Sequence, residues 1–267
     1  MEHRSRDLAA AEIQDRVGYL SFTDTERLNV FSIELADQCL SILDQFREND
    51  DVRTIVIRGT GKIFSAGGDV KQMLRDVTEG DDRAAYFRQP LSTFNRLALR
   101  VMEVPKPVLA AVHGAVAGVA FNLMLACDLA LAAEGTRFTQ AFVRLGLSPD
   151  GGGTFFLPQI VGRARACELT MLPTEIDAAT ALRWGLVNRI VPAASFDQEV
   201  AAFAGRLAEG PAAALARTKA LLTREAHRDL AEVLEAERHA QIENAASRNF
   251  QEGLTAFVEK RQPVFDP

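Results

Sequence analysis

Val108-Leu-Ala-Ala-Val112, His113-Gly114, Gly118-Val-Ala-Phe-Asn-Leu-Met-Leu-Ala-Cys127 and Asp128-Leu-Ala-Leu-Ala-Ala133 follow one another along the chain. The order reads as buried strand, turn, helix and buried strand, because short continuous apolar runs bounded by glycine suit strands covered on both faces. A strand that ends in glycine and feeds a glycine-started helix leaves backbone N–H groups free above the turn. Further on, Leu145-Gly-Leu-Ser-Pro-Asp150 sets one carboxylate between an apolar run and the triplet Gly151-Gly152-Gly153. The apolar stretch 110–133 has the length of a membrane span, but His113, Asn122 and Asp128 interrupt it and Gly114 divides it. The expectation is a folded α/β core and no membrane segment.

An earlier stretch has the same form. Thr54-Ile-Val-Ile57 is a buried-strand run broken by Gly59-Thr-Gly61, and Phe64-Ser-Ala-Gly-Gly-Asp69 precedes a helix starting at Val70. Neither glycine turn has the spacing of a nucleotide-binding loop. Two such turns, each after a strand and before a helix, can converge their N–H groups on one oxygen and stabilise an oxyanion. Outside this pair, Val17–Phe22 alternates as a strand, and Ser32 to Phe46 and Phe87 to Val104 repeat apolar residues at helical spacing. Beyond Thr154 the pattern is mostly helical, with segments expected at Phe196 to Glu209, Pro211 to Arg224, Leu230 to Phe250 and a last turn at Gly253 to Lys260. The expected organisation is a catalytic α/β core over residues 1–194 and a helical C-terminal region over 195–267.

The 267 residues are 48% hydrophobic and 25% charged, with net charge -6. That balance, with scattered Lys and Arg, excludes an electrostatic footprint for nucleic acid. Cys39, Cys127 and Cys167 lie far apart in apolar contexts and read as reduced core residues, which points to a cytoplasmic protein. The N-terminus has no apolar core and no secretory signal is visible.

Chemistry concentrates on few residues. Asp150 has two readings: an N-cap for the following helix, which would lower its pKa, or a carboxylate desolvated by Phe142, Leu145, Leu147, Phe155 and Phe156 and raised toward a working base. His3, His227 and His239 sit in a tail or in charge-rich stretches, and His113 has no Ser or Cys partner at workable spacing. No HExxH or CxxC spacing occurs, so neither a metal site nor a nucleophilic triad is indicated. Asn122 and Asp128 fit hydrogen-bonded polar groups of the core.

Ile63 to Val70, Pro107 to Asp128, Phe138 to Gly162, Ala181 to Pro192 and Ala256 to Arg261 together resemble the crotonase superfamily, the enoyl-CoA hydratase and isomerase family. The resemblance spans nearly the whole chain. It implies a spiral of ββα units with a C-terminal helical trimerisation region, assembled as a homotrimer or a dimer of trimers. It also implies an acyl-CoA thioester as substrate and no further cofactor. The thioester oxygen would lie between the N–H groups of Gly68 and Val119, the second a position where the family usually has glycine. CoA contacts would come from Arg27, Ala66, Asp69, Val70, Phe257 and Lys260, and the acyl pocket from Phe142, Leu145 and Phe156.

The departures narrow the activity. Hydratases of the family use two glutamates, and the matching positions here are Asn122 and Phe142, so water addition lacks its base and its acid. Asp150 coincides with the single aspartate of phenylacetate-pathway isomerases, whose stretch Gly146-Leu-Ser-Pro-Asp-Gly-Gly-Gly153 resembles. The resemblance therefore implies an isomerase acting on 3-enoyl-CoA or on a ring-epoxide acyl-CoA, with Asp150 as base. Two alternatives stand beside it: a hydratase, lyase or hydrolase using Asp150, and a silent acyl-CoA-binding subunit.

Overall fold

The computed structural model describes residues 7–79 and 90–265; His3 and the start of the helix expected from Phe87 lie outside them. Strands β1 (Ala9–Gln14), β2 (Val17–Phe22), β3 (Thr54–Gly59), β4 (Val108–Val112), β6 (Leu129–Ala133) and β9 (Arg189–Val191) form one sheet in the order β1-β2-β3-β4-β6-β9. The β1–β2 hairpin is antiparallel and the remaining pairings are parallel. A second sheet joins β5 (Ala115–Ala117), β7 (Arg137–Thr139) and β8 (Ile176–Asp177) in the order β5-β7-β8. β2 and β4 are buried at every residue; β4 is an uninterrupted apolar run, and in β2 the buried Ser21 hydroxyl accepts from Arg58 Nε at 2.9 Å. β1 is mostly exposed and was not foreseen; its Ala-Ala-Ala-Glu-Ile-Gln composition carries almost no strand signal, and its partner β2 recruits it.

The helices in chain order are α1 (Ile33–Glu48), α2 (Val70–Glu79), α3 (Pro90–Glu103), α4 (Gly118–Ala126), α5 (Gly153–Val161), α6 (Arg163–Met171), α7 (Ala178–Arg183), α8 (Phe196–Ala208), α9 (Ala212–Ala245) and α10 (Arg248–Glu259). α1 starts at Ser32, whose side chain accepts from the Leu35 N–H, and buries Leu35, Cys39, Leu43 and Phe46 in the main core. Each such residue contributes about 1.5–3 kcal/mol by leaving water. α4 is buried along almost its whole length, which explains why it reads as apolar on all sides.

The C-terminal helices differ from expectation in one respect. The segments expected at Pro211 to Arg224 and Leu230 to Phe250 are one helix, α9, because neither Gly nor Pro breaks the stretch between them. It stops at Ala245, short of Phe250, where Ser247 caps α10 by accepting from the Phe250 N–H. The expected last turn from Gly253 is the second half of α10. Gly253 is required there, since a Cβ would fall 2.6 Å from the Leu145 backbone. α9 packs on α3 and α5, and α10 on α2 and the 3-10 turn Phe142–Leu145. α9 is anchored at one end by buried Lys219, whose Nζ lies 2.8 Å from Asp128 and donates to the Val101 carbonyl at 2.7 Å. Desolvation raises the Asp128 pKa and lowers that of Lys219, so burial outweighs the pair's mutual attraction. Among the described residues no helix is long and apolar enough to cross a membrane.

Candidate active site

The two glycine turns are zipped together by main chain. Ser65 N donates to Ala115 O at 3.1 Å, Ala117 N donates to Ser65 O at 3.2 Å, and Phe64 N donates to His113 O at 2.8 Å. The Ser65 hydroxyl ties the strip to the preceding loop, donating to Asn29 O and accepting from Gly67 N. Gly67 has φ +89, and a Cβ there would lie 3.0 Å from the Ala117 carbonyl, so only glycine fits this approach. On the other side, Phe31 N bonds Gly67 O and Asp69 N bonds Phe31 O, a parallel bridge that turns the intervening Gly68 N–H away from Phe31. Val119 is the second residue of α4, where an N–H has no partner inside the helix. Neither Gly68 N–H nor Val119 N–H donates to a described residue. The two free donors therefore stand on turns that touch, and Val119 supplies its donor as a glycine would.

Asp150 is next to them. A Cβ on Gly151 would lie 3.4 Å from the Val119 side chain and 3.7 Å from Asn122, which places the Asp150 loop against the start of α4. Asp150 is 6% exposed, and its Oδ1 is buried with no hydrogen-bond partner among the described residues. Its pKa is raised well above the ordinary carboxylate value, first by desolvation and then by the negative charge of Glu237. The N-cap reading of Asp150 fails on geometry: the cap of α5 is Gly152, at φ +85, and only the main-chain oxygen of Asp150 is used, by Gly153 N at 3.0 Å.

Side chains from two helices, α4 and α9, hold this loop. Asn122 donates to Asp150 O at 2.6 Å and accepts from Gln140 Nε2 at 2.6 Å, a buried relay from β7's exit to the loop. A Cβ on Gly153 would lie 2.5 Å from the Asn122 amide nitrogen, so the third glycine of the triplet makes room for that bond. From α9, Glu237 accepts from Gly152 N and Thr154 N, each at 2.8 Å, and from the Thr154 hydroxyl at 2.6 Å. Gln241 donates to Ser148 O at 2.6 Å and Asn244 to Ser148 Oγ at 3.1 Å. Desolvation raises the Glu237 pKa, and its hydrogen bonds from Thr154 and Gly152 oppose the shift. Sequence reasoning missed all three α9 residues. Their spacing of four and three marks one helix face, but nothing local says which loop that face meets.

The other expected site residues are distributed around this centre. Arg27 bonds Asp24 at 2.6 Å and Asp69 at 3.1 Å, while the other Asp69 oxygen caps α2 through Gln72 N. Arg27, Asp69, exposed Ala66 and half-buried Val70 are thus gathered at the mouth of the Gly68 turn. Phe257 and Lys260 are exposed at the end of α10. Phe142 abuts Gly118, its ring 3.7 Å from where a Cβ would be, and so flanks the turn that starts α4. Leu145 packs with Met73, Phe250 and Leu254 under α10, and Phe156 lies beneath Gly152 near Leu230. A narrow apolar cleft, with about 10 Å³ free, is lined by Phe31, Phe94, Leu97, Ala98, Val119 and Leu123 and adjoins the site at Gly151.

Comparison with known proteins identifies the family and the fold. The profile of the family described as Enoyl-CoA hydratase/isomerase matches residues 12–267. A probable enoyl-CoA hydratase of Rhodobacter capsulatus is 35% identical over 95% of this chain and 96% of its own length. The 1,2-epoxyphenylacetyl-CoA isomerase of Escherichia coli is 32% identical over 96% of this chain and 97% of its own. The crystal structure of an enoyl-CoA hydratase from Mycobacterium avium subsp. paratuberculosis superposes with TM-score 0.87 at 32% identity, covering 97% of this chain and 99% of that one.

Proposed function

Because the chain belongs to the enoyl-CoA hydratase/isomerase family and has the crotonase fold, we propose that it is a double-bond isomerase of acyl-CoA thioesters with Asp150 as its single base. The carrying observation is that Asp150 is buried with a raised pKa and an unbonded oxygen, next to a pair of free N–H groups. A desolvated carboxylate with an open oxygen is a stronger base than an ordinary surface carboxylate, suited to taking and returning a proton.

In the proposed reaction the ionised Asp150 removes a proton from C2 of a 3-enoyl-CoA. The electron pair of that C–H bond delocalises onto the thioester oxygen, giving a dienolate held by the Gly68 and Val119 N–H groups. Asp150 then returns its proton at C4, leaving the double bond between C2 and C3 with no change in composition. Water addition needs a second acid or base, and the two positions where hydratases carry glutamate hold Asn122, already engaged to Asp150 O and Gln140, and Phe142, an apolar ring. The mouth formed by Arg27, Ala66, Asp69 and Val70, with Phe257 and Lys260 beyond it, would receive CoA. Phe142 and Phe156 would exclude water from the acyl side. The thioester is substrate and no other cofactor enters the scheme, which fits a cytoplasmic trimer or dimer of trimers built through the C-terminal helices.

Incubation with 3-enoyl-CoA and with 2-enoyl-CoA, followed by mass spectrometry, tests this. The expected product from 3-enoyl-CoA has unchanged mass and a conjugated double bond, with little hydrated product from either substrate. Rapid hydration of 2-enoyl-CoA would favour the hydratase reading that the Rhodobacter relative's name suggests. Binding without turnover of any acyl-CoA would favour a silent subunit.

A further inference from the structure

The first turn of a helix offers N–H groups that attract a nearby carboxylate, and Asp150, three residues before α5 and followed by three glycines, is placed to be captured. It is not captured because every early donor is already in use. Gly152 N goes to Glu237 Oε2, Gly153 N to the Asp150 carbonyl, and Thr154 N to Glu237 Oε1. The Thr154 hydroxyl also goes to Glu237. Glu237 reaches the turn from 85 residues further along the chain. It is buried, at 5% exposed, and both its oxygens are acceptors. Gln241 and Asn244 on the same face of α9 fix Ser148 on the other side of Asp150.

We infer that Glu237 is a positioning residue of the active site, which caps α5 in place of Asp150 and thereby keeps the Asp150 carboxylate free of the helix N-terminus and aimed at the substrate. The inference rests on the reading of Asp150 as the base. It assigns to α9, a helix outside the α/β core, the role of holding the reacting group, and it explains why a glutamate is tolerated inside the protein. Around the loop, α4 presents Asn122, α5 presents Thr154 and Phe156, and α9 presents Glu237, Gln241 and Asn244; Glu237 is the charged group among them. Loss of that charge lowers the Asp150 pKa twice over, by removing like-charge repulsion and by opening the helix N-terminus to Asp150.

The test is the pH dependence of kcat and kcat/KM for 3-enoyl-CoA isomerisation in the full-length protein, comparing wild type with Glu237→Gln, Glu237→Asp, Lys219→Gln and Asp150→Asn. Glu237→Gln is expected to lower kcat about 10- to 100-fold, as a displaced catalytic group does, with KM little changed. The limb where activity rises with pH is expected to move to lower pH. Glu237→Asp keeps the charge and loses the reach, so kcat falls while the limb moves less. Lys219→Gln loosens the other buried anchor of α9 and is expected to leave the limb in place. Wild-type kcat and limb in Glu237→Gln, with Asp150→Asn inactive, overturn the inference. So does an equal limb shift in Lys219→Gln, which would make Glu237 merely structural. Full turnover by Asp150→Asn instead overturns the base reading itself. Should Glu237→Gln not fold, Glu237→Asp decides alone: reduced kcat at unchanged KM supports the inference and unchanged kcat overturns it.

Discussion

The two glycine turns and the Asp150 loop lie against each other but are built by opposite means. The turns are joined by main chain to main chain, through Ser65, Ala115 and Ala117, and their free donors are backbone N–H groups. The Asp150 loop is held by side chains, Asn122 from α4 and Glu237, Gln241 and Asn244 from α9, and the group proposed to act there is itself a side chain. A site half made of backbone tolerates changes of side chain as long as the path of the chain persists, so valine at position 119 leaves the same N–H free that a glycine would. A half made of side chains has no such freedom, and each of its members has a specific partner to lose.

The largest effect expected from this contrast comes from removing a backbone donor without touching a side chain. Replacing the Val119 amide nitrogen by an ester oxygen deletes one N–H, and kcat is expected to fall about 10²- to 10³-fold. Steady-state kinetics of the ester-containing protein checks it, and near-normal turnover would mean that Val119 N–H does not face the developing oxyanion. Next comes Gly153→Ala, whose Cβ would meet the Asn122 amide at 2.5 Å. It displaces the bond to Asp150 O, and a shift of about 1 Å at the base is expected to cost about 10²-fold in kcat. Val119→Gly keeps the N–H and is expected to change kcat less than about threefold, altering instead which acyl groups are accepted, since Val119 lines the apolar cleft. A scan of acyl chain lengths reads that out.

The smallest expected effect is on stability. The Asp150 carboxyl is held above its ordinary pKa in the folded chain, so the native state binds more protons than the unfolded state once pH exceeds about 3.9. Stability from this group therefore falls as pH rises through that window. Asn at position 150 has no charge to desolvate, so Asp150→Asn is expected to melt higher than wild type at neutral pH, by about 2–4 °C per kcal/mol gained. The difference closes as pH drops below the unfolded-state value. Thermal melts across pH check the sign.

The same contrast explains what could be read from sequence. The turns, α4, the buried strands and Asp150 are written in contiguous residues, because main-chain pairing needs only apolar runs and glycines at fixed places. The free N–H groups of Gly68 and Val119 and the buried Asp150 stand on turns readable for that reason, and Asn122 and Phe142 were visible beside them. Glu237 was not, because its partner lies 85 residues away and an acidic residue in a charge-rich helix reads as solvated surface. The edge strand β1 was missed because pairing with β2 creates it, and the single span of α9 because two amphipathic segments in phase look like two helices. Leu145, expected in the acyl pocket, packs instead under α10, a neighbour set by tertiary structure.

The most direct measurement follows deuterium at C2 and C4 of 3-enoyl-CoA in deuterated water, with wild type beside Asp150→Asn. The account predicts isomer with solvent deuterium incorporated at a carbon that has exchanged, no added water, and a fall of about 10²- to 10⁴-fold in the variant. Isomerisation and exchange that survive intact in Asp150→Asn would contradict it, and would move the base to another residue.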